Sequence, residues 1–239
     1  MSQIEFALFL ESAVRLGIPL ALAAMGETIT ERSGVINIGL EGSIIAGALG
    51  GALGAIALEG AGLGLAFGAL AGLLVALVFA VFAIGLGADQ IITGTAVTIG
   101  GLGMTGAVYQ VLFGANGMEL SVPTLAPVTI PWLSEIPVVG SALFAQAPTA
   151  YFAYVMAPIS WYVLFKTAWG LELRATGEAP VAAEAAGVRV RVVRFSATLF
   201  GGAMAGIAGA HLALAHAGAF AENMSAGKGF IAIAVVALG

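Results

Sequence analysis

The feature that most constrains this chain is a series of apolar segments long enough to cross a lipid bilayer. The clearest lies at 62–87 and contains no charged residue. About 20 apolar residues span the hydrocarbon core as a helix, which satisfies its own backbone hydrogen bonds where lipid offers no partner. Only 9% of the residues are charged, against about 25% in soluble domains. We therefore predict an all-α integral membrane protein, a polytopic helical bundle with Gly-rich and broken transmembrane helices.

Further segments of the same kind precede and follow this one. We predict membrane spans at 6–25, 43–58, 62–87, 91–113, 149–165 and 195–220, and the start of another at 230–239. They predict a single transmembrane domain over 1–239, truncated at its C-terminal end. The 35 glycines fit closely packed membrane helices, because small residues let backbones approach. Glycines recurring on one helix side predict two packing ridges, at Gly64, Gly68 and Gly72 and at Gly202, Gly206 and Gly209.

The loop 167–194 contains a short helix between two spans. Pro180 suits a first helical turn, and Gly187 suits the left-handed position just after a helix end. A helix only about 10 Å long is marginal alone, because nucleation is costly. It is therefore either a docking element held by another protein or an interfacial helix lying on its own bundle. Basic residues around it predict a cytoplasmic loop: Lys166, Arg174, Arg189, Arg191 and Arg194.

The segment 27–42, ETITERSGVINIGLEG, mixes charges and glycines with an apolar stretch. We interpret it as a broken helix, because transporters use such breaks to line a substrate path. A short polar turn between two helices is the alternative. Asn37 and Glu41 are four residues apart and could face one cavity, so both are candidates for the substrate path.

A second polar interruption, at Asp89 and Gln90, supplies the other path candidates together with Thr93. The span that follows, 91–113, is rich in threonine and glycine. It looks too polar for a lipid-facing helix, so we predict that it lies in the bundle interior. Asp89 could instead be a water-exposed cap for that helix.

The remaining polar residues give no catalytic or metal site. His211 and His216 are five apart, which does not bring them together as ligands on one helix, and we interpret them as pore-side or interhelical hydrogen-bonding groups. The chain contains no cysteine and no nucleophile-elbow, zinc-protease or Walker A motif. We therefore expect no enzyme activity, no bound cofactor or metal and no nucleic-acid partner.

Two motifs resemble those of a known family. The run G-E-x-P-x-A-A-x-x-A-G at 177–187 resembles the coupling loop of ATP-binding cassette (ABC) importer permeases of the ribose and branched-chain amino acid type. The run ERSGVINIGLEG at 31–42 resembles the nucleoside branch, which is linked to a basic membrane lipoprotein. The resemblance assigns ATPase coupling to residues of the short helix and its flanks: Gly177, Glu178, Pro180, Ala182, Ala183, Ala186 and Gly187.

The resemblance also implies partners and a mechanism. A permease in the inner or plasma membrane would dock separate ATPase subunits, which bind the ATP, and would receive substrate from an extracytoplasmic lipoprotein. A second permease chain would complete the path, and in that branch the resemblance implies a distinct chain in a heterodimer. Nucleosides are the expected substrate. Ribose-like sugars, branched-chain amino acids, a proton-coupled secondary transporter and a non-transporting assembly subunit remain open.

Overall fold

The fold is a bundle of helices, seen in a computed structural model that describes residues 3–114, 122–137 and 139–239. The helices are α1 (Gln3–Arg32), α2 (Leu40–Ala57), α3 (Ala61–Ala80), α4 (Gln90–Phe113), α5 (Val139–Phe144), α6 (Pro148–Lys166), α7 (Ala168–Glu178), α8 (Pro180–Ala185), α9 (Val190–His211) and α10 (Lys228–Leu238). Wider π-helical turns, Val81–Gly85 and Leu212–Ala217, extend α3 and α9. Two short antiparallel strands, β1 (Val128–Thr129) and β2 (Ala145–Gln146), pair Val128 with Gln146.

Five helices of the described chain are long and apolar enough to cross a membrane. They are α1, α2, α3 with its π-helical turn, α4, and α9 with its π-helical turn. Each covers a predicted span. The predicted span 149–165 also forms a helix, α6, but its tyrosines and tryptophan make it less apolar than those five. The membrane-helix architecture predicted from composition is thus confirmed.

The core is a junction of α2, α3 and α9, in which glycines allow backbone to lie on backbone. A Cβ placed on Gly72 would lie 2.5 Å from the Cα of Gly206 and even closer to the carbonyl oxygen of Gly202. A Cβ on Gly68 would lie 2.9 Å from the carbonyl oxygen of Gly47 on α2. Both predicted glycine ridges are therefore confirmed as the surfaces through which these helices meet.

The break predicted at 27–42 exists but is shorter than expected. α1 continues without interruption to Arg32, and α2 begins at Leu40, so only residues 33–39 are non-helical. The apolar residue Val35 inside this break is completely buried, in contact with Phe79 of α3 and Ala83 of its π-helical extension. We call residues 33–39 the α1–α2 break.

The prediction that α4 lies in the interior is wrong for this chain. Half of its residues are exposed, and only four are buried: Gly94, Thr98, Thr105 and Tyr109. The threonines need no interior partner, because two of them donate to carbonyls one turn back: Thr95 to Ile91 and Thr105 to Gly101, each at 2.8 Å. A threonine count therefore overstated how far this helix is buried.

One end of the bundle carries α7 and α8, and we call it the loop end. Sequence reasoning missed α7, although Thr167 begins it by accepting a hydrogen bond from the backbone N–H of Gly170 at 3.1 Å. The side chain of Leu173 fixes α7 to the bundle, since it is fully buried in a cluster with Ile29 of α1 and Val193 of α9. The loop end is thus packed on α1, which leads into the break, and on α9.

Candidate functional site: the loop end and the α1–α2 break

The short helix predicted in the loop is α8, which begins at Pro180 and ends one residue earlier than expected, at Ala185. Gly187 has a φ of +92°, the left-handed conformation predicted for it. The six-residue helix turns one face outward: Val181 is 81% exposed, and Ala182 and Ala186 are exposed as well. This outward face is an apolar surface at the loop end.

The predicted docking face needs one correction. Ala183 is only 5% exposed, so its side chain points into this chain and not towards a partner. The reason is the helical period, because Ala183 lies about 160° round the axis from Val181 and Ala185 and so on the side that meets α7 and α9. The outward face therefore contains Val181, Ala182 and Ala185, with the exposed residues Glu184 and Ala186 at its edges.

Gly177 and Glu178 occupy different positions at the end of α7. Glu178 is exposed beside α8. Gly177 instead packs on the α1–α2 break, where a Cβ would collide with the carbonyl oxygen of Arg32 and lie 3.2 Å from the backbone nitrogen of Gly34. Glycine at 177 is therefore an internal contact that joins the loop to the break.

Side chains from three helices form hydrogen bonds with backbone groups of the break. Arg194 of α9 donates from Nε to the carbonyl oxygen of Ser33 at 3.2 Å. The Oε1 of Gln90 accepts from the N–H of Ile36 at 2.9 Å, and that of Glu27 accepts from the N–H of Asn37 at 2.8 Å. Thr98 of α4 donates to the carbonyl oxygen of Ile38 at 3.1 Å. Such partners are what allow non-helical backbone to exist inside a membrane bundle.

Asn37 and Glu41 do not share one helix face as expected. Asn37 lies in the break and is fully buried, while Glu41 lies in the first turn of α2. Both oxygens of Glu41 accept backbone N–H groups ahead of or at the start of α10: Oε1 from Gly227 at 2.8 Å and Oε2 from Gly229 at 2.6 Å. Since a carboxylate is favoured at a helix N-terminus, Glu41 anchors α10.

The path candidates around α4 also have local partners. The Oδ1 of Asp89 accepts the backbone N–H groups of Ile91 and Ile92, each at 2.9 Å, so Asp89 caps α4, the alternative left open above. Gln90 bonds the break, as described. Thr93 is half-buried and lines an otherwise largely apolar groove of about 520 Å³ between α3 and α4.

A larger cavity, of about 740 Å³, lies between α1, α6 and α10 and is lined by none of the five path candidates. Its polar lining comes from Thr28, Glu31, Arg32 and Tyr154. Glu31 Oε2 and the Tyr154 hydroxyl have no hydrogen-bond partner among the described residues. The spacing of 28, 31 and 32 places those residues on one helix face, a signal that sequence reasoning did not use.

The two histidines lie in different surroundings. Nδ1 of His211 is 2.5 Å from the hydroxyl oxygen of Thr149 on α6, so the predicted interhelical hydrogen bond is confirmed for that residue. His216 is exposed at the other end of the π-helical turn. Among the described residues, no three His, Asp or Glu side chains gather in a way that could hold a metal ion.

Comparison with known proteins places this geometry in a family. Residues 9–239 match the family described as the permease component of branched-chain amino acid transport systems. A putative glucose ABC transporter permease of Haloferax volcanii is 37% identical over 231 residues, covering 95% of this chain and 69% of the relative. No solved structure gives a significant match.

Two further relatives are named as permeases for nucleosides. The nucleoside ABC transporter permease of Lactococcus lactis is 34% identical over 228 residues, and the guanosine ABC transporter permease of Bacillus subtilis is 36% identical over 231 residues. Each alignment covers 92% of this chain and 72% of the relative. The chain therefore belongs to the branched-chain amino acid type of permease components, and it is a multi-pass cell-membrane subunit of an ABC importer, which works with ATPase subunits and a substrate-binding protein.

Proposed function

We propose that this chain is the permease subunit of a nucleoside importer and that it has no ATPase site of its own. Support for the substrate comes from the two relatives that carry nucleosides, at 34% and 36% identity. Simple sugars are the second candidate, because a relative named as a glucose permease is 37% identical. The role in coupling to the ATPase is supported by the outward face of α8, which exposes Val181 at the loop end.

The outward face of α8 is the surface to which the ATPase subunits bind. A helix this short is marginal alone, and small side chains at Ala182 and Ala186 let a partner approach its backbone closely. The basic residues Lys166, Arg189 and Arg191 are exposed around it, which is consistent with a cytoplasmic loop. Conformational change in the ATPase pair would reach the permease through this surface.

The substrate path follows the α4 side of the chain. Thr93 supplies a hydroxyl in the groove between α3 and α4, and Asp89 and Gln90 lie at the start of the same helix. Asn37 and Glu41 lie behind this surface, because both are buried. Asn37 is part of the break, and Glu41 accepts hydrogen bonds from the backbone at the start of α10. In this view they set the shape of the path and do not contact the substrate.

A second permease covers the exposed side of α4. Two glycines of that side, Gly100 and Gly103, have no neighbour within 4 Å of an added Cβ in the described part of the chain. Glycines on a membrane helix are used where another helix approaches. We expect a heterodimer with a related chain, and a lipoprotein that delivers substrate from outside.

The test is reconstitution of the full-length permease with its ATPase, second permease and lipoprotein in liposomes. ATP hydrolysis and uptake are measured with guanosine, glucose or leucine outside. Stimulation of both by guanosine alone supports the proposal, and stimulation by glucose alone would transfer it to sugars. Uptake driven by a proton gradient without ATP would contradict the ABC mechanism proposed for this chain.

A further inference from the structure

We propose that Arg194 is a positioning residue of the transport cycle. From α9 it holds the start of the α1–α2 break against Gly177 of α7, so that displacement of α7 and α8 moves the break and, through Gln90, moves α4. The inference rests on the proposed function, because it assumes that an ATPase moves the loop end.

Helices α7 and α9 contact the start of the break at two adjacent places. Gly177 of α7 packs on the backbone at Arg32 and Gly34, too closely for any side chain at 177. Arg194 donates to the carbonyl oxygen of Ser33, and a Cβ on Gly34 would lie 3.1 Å from its Nη2. A charged donor makes a stronger hydrogen bond than a neutral one. The first residues of the break are therefore held between α7 and α9.

The other half of the break is attached to α4. Gln90 accepts from Ile36, and Thr98, two turns further along α4, donates to the carbonyl of Ile38. The remainder of α4 has few buried side chains in this chain. These two bonds join the first three turns of α4 to the break. Further along, α4 packs on α2, where a Cβ on Gly101 would lie 3.0 Å from the Cα of Gly42. The first turn of α4 is therefore the part that can follow the break when it moves.

The break suits transmission because part of its backbone bonds side chains of other helices and not a helical ladder. The N–H groups of residues 33–35 still bond carbonyl oxygens in the last turn of α1. Gly34 has a φ of +83°, a conformation that favours glycine. Glu27 holds Asn37 to α1 at the middle of the break. A movement of Ser33 is therefore passed along residues 33–36, with the bond from Glu27 as a pivot.

The absence of native cysteine makes a direct test possible. Nitroxide labels are placed one at a time at Ile36→Cys, in the break, and at Ile92→Cys, in α4, both of which are exposed. The full-length permease is assembled with its ATPase and partner permease, and each label's spectrum is compared without nucleotide and with ADP-vanadate. In the unsubstituted background we expect both labels to respond.

Arg194→Ala should abolish the nucleotide response of both labels while the ATPase still co-purifies. Substrate transported per ATP should fall by at least about fivefold, the lower range of known coupling energies. Arg194→Lys, which keeps a charged donor, should restore part of the response. Arg191→Ala is the matched control, since it removes an exposed arginine from the same helix.

A second variant tests the link between the break and α4 separately from the link between the break and α9. Gln90→Met removes the acceptor for Ile36, so the label at 36 should still respond and the label at 92 should not. Gln90→Glu keeps an acceptor oxygen and should restore the response at 92. If Arg194→Ala prevents assembly of the complex, the responses of these two Gln90 variants still test whether movement of the break reaches α4.

Two results would overturn the inference. One is an assembled Arg194→Ala complex whose labels respond as in the unsubstituted background. The other is Gln90→Met with an unchanged response at 92. Failure of the proposed function looks different, because the unsubstituted permease would then show no bound ATPase or no substrate-stimulated hydrolysis.

Discussion

The junction of α2, α3 and α9 and the loop end of the bundle are held together in opposite ways. At the junction, glycine backbones meet directly, as Gly72 meets Gly202 and Gly206. At the loop end, single side chains reach across to backbone groups, as Arg194 reaches Ser33 and Gln90 reaches Ile36. The first region depends on shape at many contacts, whereas the second combines one close backbone contact, at Gly177, with a few hydrogen bonds.

This difference indicates which part of the permease can move. Packed interiors are not continuously deformable, so a junction without room for a methyl group acts as one rigid body. A hydrogen bond between a side chain and a backbone group can break and re-form at a net cost of about 1 kcal/mol. We therefore expect the glycine junction to be the fixed frame and the loop end, with the break, to be the adjustable part.

The largest expected effect is Gly72→Ala. Its Cβ would collide with the backbone of Gly202 and Gly206, which cannot rotate away as a flexible side chain could. We expect a loss of about 3 kcal/mol in the free energy of unfolding, measured as a lower Tm of the purified permease in detergent.

A matched substitution on the same helix shows whether the effect comes from the junction. A Cβ on Gly62 meets nothing within 4 Å in the described chain. Alanine has a higher helix propensity than glycine, so Gly62→Ala should leave Tm unchanged or raise it slightly. Equal losses for the two variants would mean that glycine content, and not the contact, stabilises α3.

The next effect in size concerns Glu41, which lies between the two regions. Glu41→Gln keeps one acceptor but places an amide group against an N–H of Gly227 or Gly229. We expect a loss of about 2 kcal/mol and faster hydrogen exchange of those two amides. Glu59→Gln is the control, because Glu59 is exposed at the end of α2. Unchanged exchange at 227 and 229 would show that Glu41 does not anchor α10.

Sequence reasoning predicted the glycine junction well and the break less well, for a physical reason. Close helix packing requires small residues at fixed spacing, so Gly64, Gly68 and Gly72 carry the information locally. The partners of the break are distant in sequence: Ser33 and Arg194 are 161 residues apart. No local pattern specifies such a pair.

The site residues show the same limit. The motif at 177–187 predicted α8 and the left-handed Gly187, since both follow from local backbone preferences. It did not predict that Ala183 faces inward, because that depends on how α8 lies on α7 and α9. Likewise, polar character marked Glu41 as unusual, but only the fold shows that it holds the N-terminus of α10. For Asp89 the sequence left a helix cap open as an alternative, and the fold selects it.

A smaller effect is expected for the outward face of α8. Val181→Asp should weaken ATPase binding by about tenfold, as expected for an exposed apolar contact residue at an interface, without changing Tm. Ala183→Asp should instead lower Tm, because its carboxylate would be buried within this chain without a partner. Pull-down of the ATPase and thermal unfolding are measured for both. If Val181→Asp binds the ATPase normally, α8 does not dock through its outward face.

The smallest effect is expected at Asp89, and it sharpens the comparison most directly. Asp89→Ala removes both hydrogen bonds that cap α4, which should cost about 1 kcal/mol, whereas Asp89→Asn keeps an acceptor and should be nearly neutral. Because the cap is exposed at the adjustable end, the loss should appear as faster hydrogen exchange in the first turn of α4, with little change in Tm. That turn contains Gln90, so the bond to Ile36 should weaken with it. If Asp89→Ala lowered Tm as much as Gly72→Ala, the loop end would be as rigidly coupled to the bundle as the glycine junction. The division into a fixed frame and an adjustable end would then be wrong.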